Sequence, residues 1–112
     1  MFITTIPQYV VGITNAKLDL TATSATVLYT APSAADFNTS VVSSILVSED
    51  SGNADTITVT ITDTANAVFS LFKVKAVAAN TTVELLTNNL VLQSGEIIKV
   101  TAATANRLHV VA

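Results

Sequence analysis

The sequence contains no cysteine and no tryptophan, and it has only two prolines and three glycines in 112 residues. Without cysteine, the chain can form neither a disulfide framework nor a zinc-thiolate site. The glycines, Gly12, Gly52 and Gly95, stand too far apart for a glycine-rich phosphate-binding loop. The lack of tryptophan weakens a carbohydrate-binding role, since sugar sites commonly stack their ligand on exposed aromatic rings.

Charge is also scarce. Only 12% of the residues are charged and 50% are hydrophobic, with a net charge of −3, whereas a typical soluble domain has about 25% charged residues. The five cations include one close pair, Lys73 and Lys75, so no basic cluster is available for a phosphate backbone and we expect no nucleic-acid partner. The apolar runs last a few residues, far short of the roughly 20 of a membrane helix, so we expect no membrane partner. A surface of Thr, Ser, Asn and Ala loses little on desolvation and suits permanent contact with other subunits.

The strongest local pattern is a strict alternation over residues 55–63. Threonines at every second position are interleaved with β-branched aliphatic residues, which is the period of a strand with one face in a core. A register slip of one residue would place the aliphatic face in water. The pattern therefore predicts buried Ile57, Val59 and Ile61, and much more exposed Thr58 and Thr60.

Other segments have the composition of short strands bounded by turn residues. They cover residues 25–30, 39–48, 68–77, 81–86, 90–92, 96–102 and 107–112. The apolar run 39–48 predicts one central strand covered on both faces, and 68–77 predicts a strand that is bent or divided in two. In 96–102, Ile98 and Val100 are predicted to point inward and Lys99 and Thr101 outward. Seven or eight short strands at such spacings, without an amphipathic helix, are typical of sandwiches and barrels.

The predicted fold is therefore all-β, an antiparallel β-sandwich of immunoglobulin-like or jelly-roll-like order spanning residues 25–112. Residues 1–24 are predicted to form an extended N-terminal arm and possible edge strand. Phe2, Ile3 and Ile6 are too apolar for a free tail, so we expect them to contact a neighbouring subunit or shell. The alternative is that the arm folds back on its own domain as an extra edge strand.

The last strand supplies the other predicted interface residues, Leu108 and Val110. They are predicted to lie in an interface because an apolar terminal strand at the edge of a sheet needs to be covered. Together with the low charge of the chain, this edge predicts a homo-oligomer.

Residues with catalytic chemistry are few. The single histidine, His109, lies on the predicted last strand with no nucleophile-elbow pattern nearby, so the interpretation is a partly exposed strand residue. The acidic cluster Glu49, Asp50, Asn53 and Asp55 is interpreted as a solvated turn that separates strands. Calcium binding is the alternative, but the order of oxygen ligands of a known calcium loop is missing. We expect no enzyme activity, catalytic residue, metal site or cofactor.

Several segments carry a resemblance to a known group of proteins. They are TVLYTAP at 26–32, VVSSILV at 41–47, TITVTIT at 56–62, ANTTVELL at 79–86, LVLQSGEIIKVTA at 90–102 and NRLHVV at 106–111. The sequence resembles small virion structural proteins of tailed bacteriophages, notably marine and cyanobacterial ones. The resemblance does not cover the first 25 residues and carries over no functional residue.

The resemblance implies a non-enzymatic capsid decoration or cement protein that binds the head surface as an oligomer. By analogy with decoration proteins on local three-fold axes, a homotrimer is favoured, with the major capsid protein or other virion proteins as partners. The location implied is the virion, assembled in the host cytoplasm. One alternative is a tail, baseplate or fibre component that binds a host surface, and a weaker alternative is a carbohydrate-binding β-sandwich module. The number of copies in each particle discriminates between head and tail.

Overall fold

The computed structural model describes residues 15–32 and 39–112. Within these ranges every regular element is a β-strand. The strands are β1 (Lys17–Asp19), β2 (Thr26–Thr30), β3 (Ser40–Val42), β4 (Leu46–Glu49), β5 (Asp55–Thr62), β6 (Val68–Val77), β7 (Thr82–Glu84), β8 (Leu90–Leu92), β9 (Ile97–Ala102) and β10 (Leu108–Val111). The predicted all-β class is confirmed, with ten strands in the described ranges instead of seven or eight.

The strands form two four-stranded sheets and one ribbon, and every pairing is antiparallel. Sheet A has the order β1-β10-β4-β7, sheet B has the order β2-β9-β5-β6, and β3 pairs with β8 in the ribbon. Four short connections, at residues 20–25, 50–54, 78–81 and 103–107, each join a strand of one sheet to a strand of the other. Connections of this length place the joined strands opposite each other. The strands β1 and β2 therefore lie at one side of the sandwich, and β6 and β7 lie at the other.

The inward faces of both sheets contribute to one core. Its fully buried aliphatic side chains include Val47, Leu108 and Val110 from sheet A and Ile57, Val59, Ile98 and Val100 from sheet B. On β5, Ile57 and Val59 are fully buried as predicted. The prediction is wrong at the end of the strand, where Ile61 is only partly buried, like Thr58 and Thr60, and Thr62 is buried. The predicted alternation on β9 is also confirmed, because Ile98 and Val100 are buried while Lys99 and Thr101 are less so.

The prediction of one central strand over residues 39–48 is wrong. The segment contains two strands in different sheets, β3 in the ribbon and β4 in sheet A. A contact with a distant segment separates them: the Glu84 carboxylate accepts hydrogen bonds from the Ser44 hydroxyl and from the Ile45 N–H (2.8 Å). The Ile45 carbonyl accepts a further hydrogen bond from the Leu85 N–H (2.9 Å). This bond has the register of the β4–β7 pairing, in which Leu46 is opposite Glu84, so the backbone at Ile45 belongs with β4 and not with β3.

Part of the predicted N-terminal arm belongs to the sandwich. Lys17–Asp19 forms β1, the edge strand of sheet A next to β10, and Leu20 is buried in the core. Within the described ranges no helix has the length and apolarity that crossing a bilayer requires.

Candidate interaction surface

The structure separates the five predicted interface residues into two groups. Phe2, Ile3 and Ile6 lie outside the described residues. Leu108 and Val110 are fully buried in the core, where no partner can reach them. The prediction that the last strand is an uncovered edge is wrong, because β10 is paired with β1 on one side and with β4 on the other.

The exposed apolar surface lies instead on β6, the edge strand of sheet B. Nine of its ten residues are exposed or only partly buried, and the tenth, Val77, is buried. Four large apolar side chains stand in solvent, with 37% to 62% of their surface exposed: Val68, Phe69, Leu71 and Val74. We call these four residues the β6 surface. A long apolar edge strand is a template for pairing with another chain, and soluble proteins normally protect such edges.

The length of the opposite strand explains this exposure. β6 has ten residues, whereas β7, which follows it in the other sheet, has three. The chain crosses between the two through residues 78–81, so β7 lies opposite the end of β6 near Val77. The beginning of β6 therefore extends past the cover that sheet A provides, and its inward-facing Phe69 remains exposed while Phe72 packs partly against the core.

The register between β5 and β6 is interrupted twice. Ile57 pairs with Lys75, Val59 with Phe72 and Thr60 with Ser70, so β6 carries an extra residue in each interval. Such bulges bend an edge strand and redirect its side chains. Residues 68–70 keep a regular register with 60–62, so the beginning of β6 is the stretch with a plain strand edge.

Val74 lies at the first of these bulges in an unusual backbone conformation. Its φ is +52°, in the left-handed region that costs a residue with a Cβ roughly 1–2 kcal/mol. The Thr58 hydroxyl accepts a hydrogen bond from the Val74 N–H (3.1 Å), which takes the place of a ladder bond. The conformation turns an apolar, 61% exposed side chain into solvent. Together with Lys73 and Lys75, this bulge bounds the regular edge on one side.

Two smaller apolar pairs are exposed elsewhere. Val41 and Val91 are directly opposite each other on the ribbon, and Leu46 and Val111 are opposite each other on the outer face of sheet A. Each pair is an isolated contact of two side chains. Isolated exposed apolar residues are ordinary on protein surfaces, so β6 differs from them by the length of its apolar run.

The predicted solvated acidic turn is wrong for Glu49. Its side chain is buried, and its carboxylate accepts hydrogen bonds from the Ser51 hydroxyl and from the N–H groups of Ser51 (2.8 Å), Asn80 (2.9 Å) and Asn53 (3.4 Å). Burial by itself raises the pKa of this carboxyl, but these hydrogen bonds outweigh it and lower the pKa from 4.5 to about 2. Glu49 thus ties the 50–54 turn to the start of the β7 segment. The Ser-Gly-Asn sequence after it was the available local signal of such a cap.

Asp55, from the same cluster, is also buried and accepts a hydrogen bond from the Thr104 N–H (3.0 Å). In the residues that the structure describes, no group of three His, Cys, Asp or Glu side chains is placed to hold a metal ion. Glu84 has a comparable structural role. Burial raises the pKa of its carboxyl, but bonds from the Ser44 hydroxyl and the backbone of Ile45, Leu86 and Leu85 bring a net decrease.

His109 lies on the outer face of sheet A between two acids. Its Nε2 is 3.1 Å from an Asp50 carboxylate oxygen and its Nδ1 is 3.4 Å from one of Asp19. All three side chains are substantially exposed, and the protonated imidazole forms ion pairs with both carboxylates. The arrangement links β1, β10 and the 50–54 turn, and exposed pairs of this kind contribute about 0–1 kcal/mol each.

No protein-family model matches the chain, and comparison with the curated proteins and with the solved structures gave no match.

Proposed function

We propose that the chain is a non-enzymatic structural protein of a tailed-phage virion, a decoration or cement protein that binds the head surface as an oligomer. The observation that carries the proposal is the β6 surface, with four exposed large apolar side chains on one edge strand. Large apolar side chains exposed along an unpaired strand edge are characteristic of protein–protein contact. The resemblance of the strand and turn segments to small phage virion proteins supports the choice of a phage particle.

The use of the carboxylates supports assembly over catalysis. The carboxylates of Glu49, Glu84 and Asp55 accept hydrogen bonds from backbone N–H groups and so hold turns in place. Asp63 does the same for the turn before β6, where it accepts hydrogen bonds from the Ala65 and Ala67 N–H groups, both at 2.9 Å. Glu96 accepts a hydrogen bond from the Gln93 N–H (2.6 Å) in the same way. Five of the eight acidic residues thus hold loops in place, as a rigid building block requires.

The proposed partners are further copies of this chain, with a trimer favoured, and the major capsid protein or another virion protein. Only 12% of the residues are charged, and a surface with few charges loses little free energy when it is desolvated against a shell. The edge strand β6 adds backbone hydrogen-bonding groups to the apolar contact, as in strand addition to an exposed sheet edge.

Counting copies in purified particles tests the proposal. Quantitative mass spectrometry of the virion should give hundreds of copies, the number that a head lattice requires. A small multiple of three or six would support the tail, baseplate or fibre alternative instead, and absence from the particle would refute the virion role altogether.

A comparison of two variants tests whether the number of copies bound to particles depends on the β6 surface. Val68→Lys with Leu71→Lys places two charges on β6, whereas Val91→Lys places one on an apolar residue of the ribbon that is 56% exposed. We expect at least a ten-fold loss of copies bound to particles for the β6 variant and no more than a two-fold loss for the ribbon variant. Equal binding by both variants would show that β6 is not the surface used.

A further inference from the structure

The outer edge of β6 has no strand partner among the described residues, because β6 is the last strand of sheet B. Its regular stretch begins with Val68 and Phe69, and both side chains are more than half exposed. An occupant that satisfies this edge must offer backbone groups in an extended conformation and apolar side chains. It should also lack positive charge, because Lys73 and Lys75 follow on the same strand.

One segment of the chain has the apolar, uncharged composition that such an occupant needs. Residues 1–16 contain no charged residue, and the first charge in the sequence is Lys17. Eight large apolar or aromatic residues fall in this segment: Met1, Phe2, Ile3, Ile6, Tyr9, Val10, Val11 and Ile13. Its one proline, Pro7, is compatible with an added outer strand, where a backbone N–H can point away from the sheet.

The positions of residues 1–16 and of the β6 edge in the sandwich indicate whether the segment comes from the same copy or from a neighbouring one. It leads directly into β1, at the side of the sandwich opposite to β6. To reach β6 of its own copy it must cross about three strand spacings of roughly 4.8 Å and the sheet separation of roughly 10 Å, and then reverse. Fourteen extended residues span at most about 50 Å, so length alone permits this route. In a head-to-tail arrangement, however, the β1 side of one copy lies beside the β6 side of the next, and no reversal is needed.

We propose that residues 2–13 of one copy add to the edge of β6 in the next copy, along residues 68–70 and over Leu71 and Val74. Each copy then has one donor segment and one acceptor edge at opposite sides. Such heterologous contacts close into a ring when the rotation between copies permits it, and a three-membered ring agrees with the favoured trimer. This inference rests on the self-assembly in the proposed function and specifies its interface.

Two variants, each of which keeps only one half of the proposed contact, test the exchange of the arm between copies. The donor-only chain carries Val68→Lys and Leu71→Lys, so its arm is intact and its edge is blocked. The acceptor-only chain lacks residues 1–13, so its edge is intact. Light scattering should show each as a monomer alone and a 1:1 heterodimer after mixing, because neither has both halves of the contact. Val91→Lys is the control and should assemble like the unaltered chain.

A full-length acceptor-only chain, with Ile6→Lys and Val10→Lys in place of the deletion, repeats the test without shortening the protein. Circular dichroism of every variant establishes that it is folded. A mixture of folded variants that stays monomeric overturns the arm exchange, and so does a truncated chain that keeps the mass of the unaltered oligomer. In the second case self-assembly survives with a different interface. A chain that is monomeric before any change overturns exchange between copies, while the copy number in particles still tests the virion role separately.

Discussion

The alternation on β5 gives a quantitative test of the sandwich. Ile57 is fully buried, and its strand pairs with β9 on one side and β6 on the other. Ile57→Ala removes three carbon atoms from the core, which costs about 2.4 kcal/mol at roughly 0.8 kcal/mol for each buried methylene equivalent. Incomplete collapse of the cavity adds about 1 kcal/mol. We therefore expect the free energy of unfolding to decrease by about 3.5 kcal/mol, within the range of about 2–5 kcal/mol for such substitutions.

Two further positions on the same strand serve as controls. Ile61 faces the same way but is only partly buried, so Ile61→Ala should cost about half as much, roughly 1.5–2 kcal/mol. Thr58 faces outward, and Thr58→Ala should cost more than a typical surface substitution, about 1 kcal/mol, because its hydroxyl accepts the Val74 N–H. The expected order of destabilisation is Ile57, then Ile61, then Thr58.

Urea unfolding of the three variants measures these differences directly, and Ile57→Ala should also lower the thermal midpoint by about 10–20 °C. The slope of the unfolding free energy against urea should stay the same, since the folded state keeps its compactness. A cost for Ile57→Ala no greater than that for Thr58→Ala would refute the placement of the Ile57 face of β5 in the core.

Three other substitutions follow from single contacts. Glu49→Gln should make the free energy of unfolding less dependent on pH in the acid range. The pKa of Glu49 in the folded protein is about 2, below the 4.5 of the free group, so the charged carboxylate stabilises fully above pH 4.5 and progressively less as pH falls toward 2. Plots of unfolding free energy against pH that stay parallel for the two proteins between pH 5 and 2 would contradict this. Thr62→Val should raise the unfolding free energy by about 1 kcal/mol, because the Thr62 hydroxyl is buried without a hydrogen-bond partner among the described residues; a decrease on urea unfolding would show that the hydroxyl is satisfied. Gly52→Ala should cost about 1 kcal/mol, because φ is +83° with open space around the added Cβ. Gly95→Ala should cost about 2 kcal/mol, because its Cβ would also lie 2.9 Å from Thr64 Cγ2; equal midpoints for the two glycine variants would rule out the clash.

The sequence predicted those strands whose pattern is decided locally. On β9 and on residues 55–60 of β5 the buried positions alternate as predicted, because one face of each strand is in the core and the other is not. At the end of β5 the alternation fails, since Thr62 is buried and Ile61 is only partly buried. On β10, Leu108 and Val110 lie on one face, as the two-residue period of a strand requires. The sequence did not show that β10 is a central strand whose Leu108 and Val110 face the core, because the neighbours of a strand in a sheet depend on chain segments far away in sequence.

The misassigned segments share that cause. The split of residues 39–48 depends on the Glu84 carboxylate, which lies about 40 positions away, and a continuous apolar run gives no sign of it. The burial of Glu49 depends partly on the distant Asn80 N–H. The exposure of β6 follows from the short β7 opposite it, so the apolar composition of residues 68–77 does not by itself show that this strand is the candidate interface.

Light scattering of the unaltered chain, from low to high micromolar concentration, tests the central claim that this protein works by assembling with copies of itself. The account predicts a mass near three times the 11.6 kDa of one chain. A mass of 11.6 kDa throughout that range, together with no assembly on virions, would contradict it.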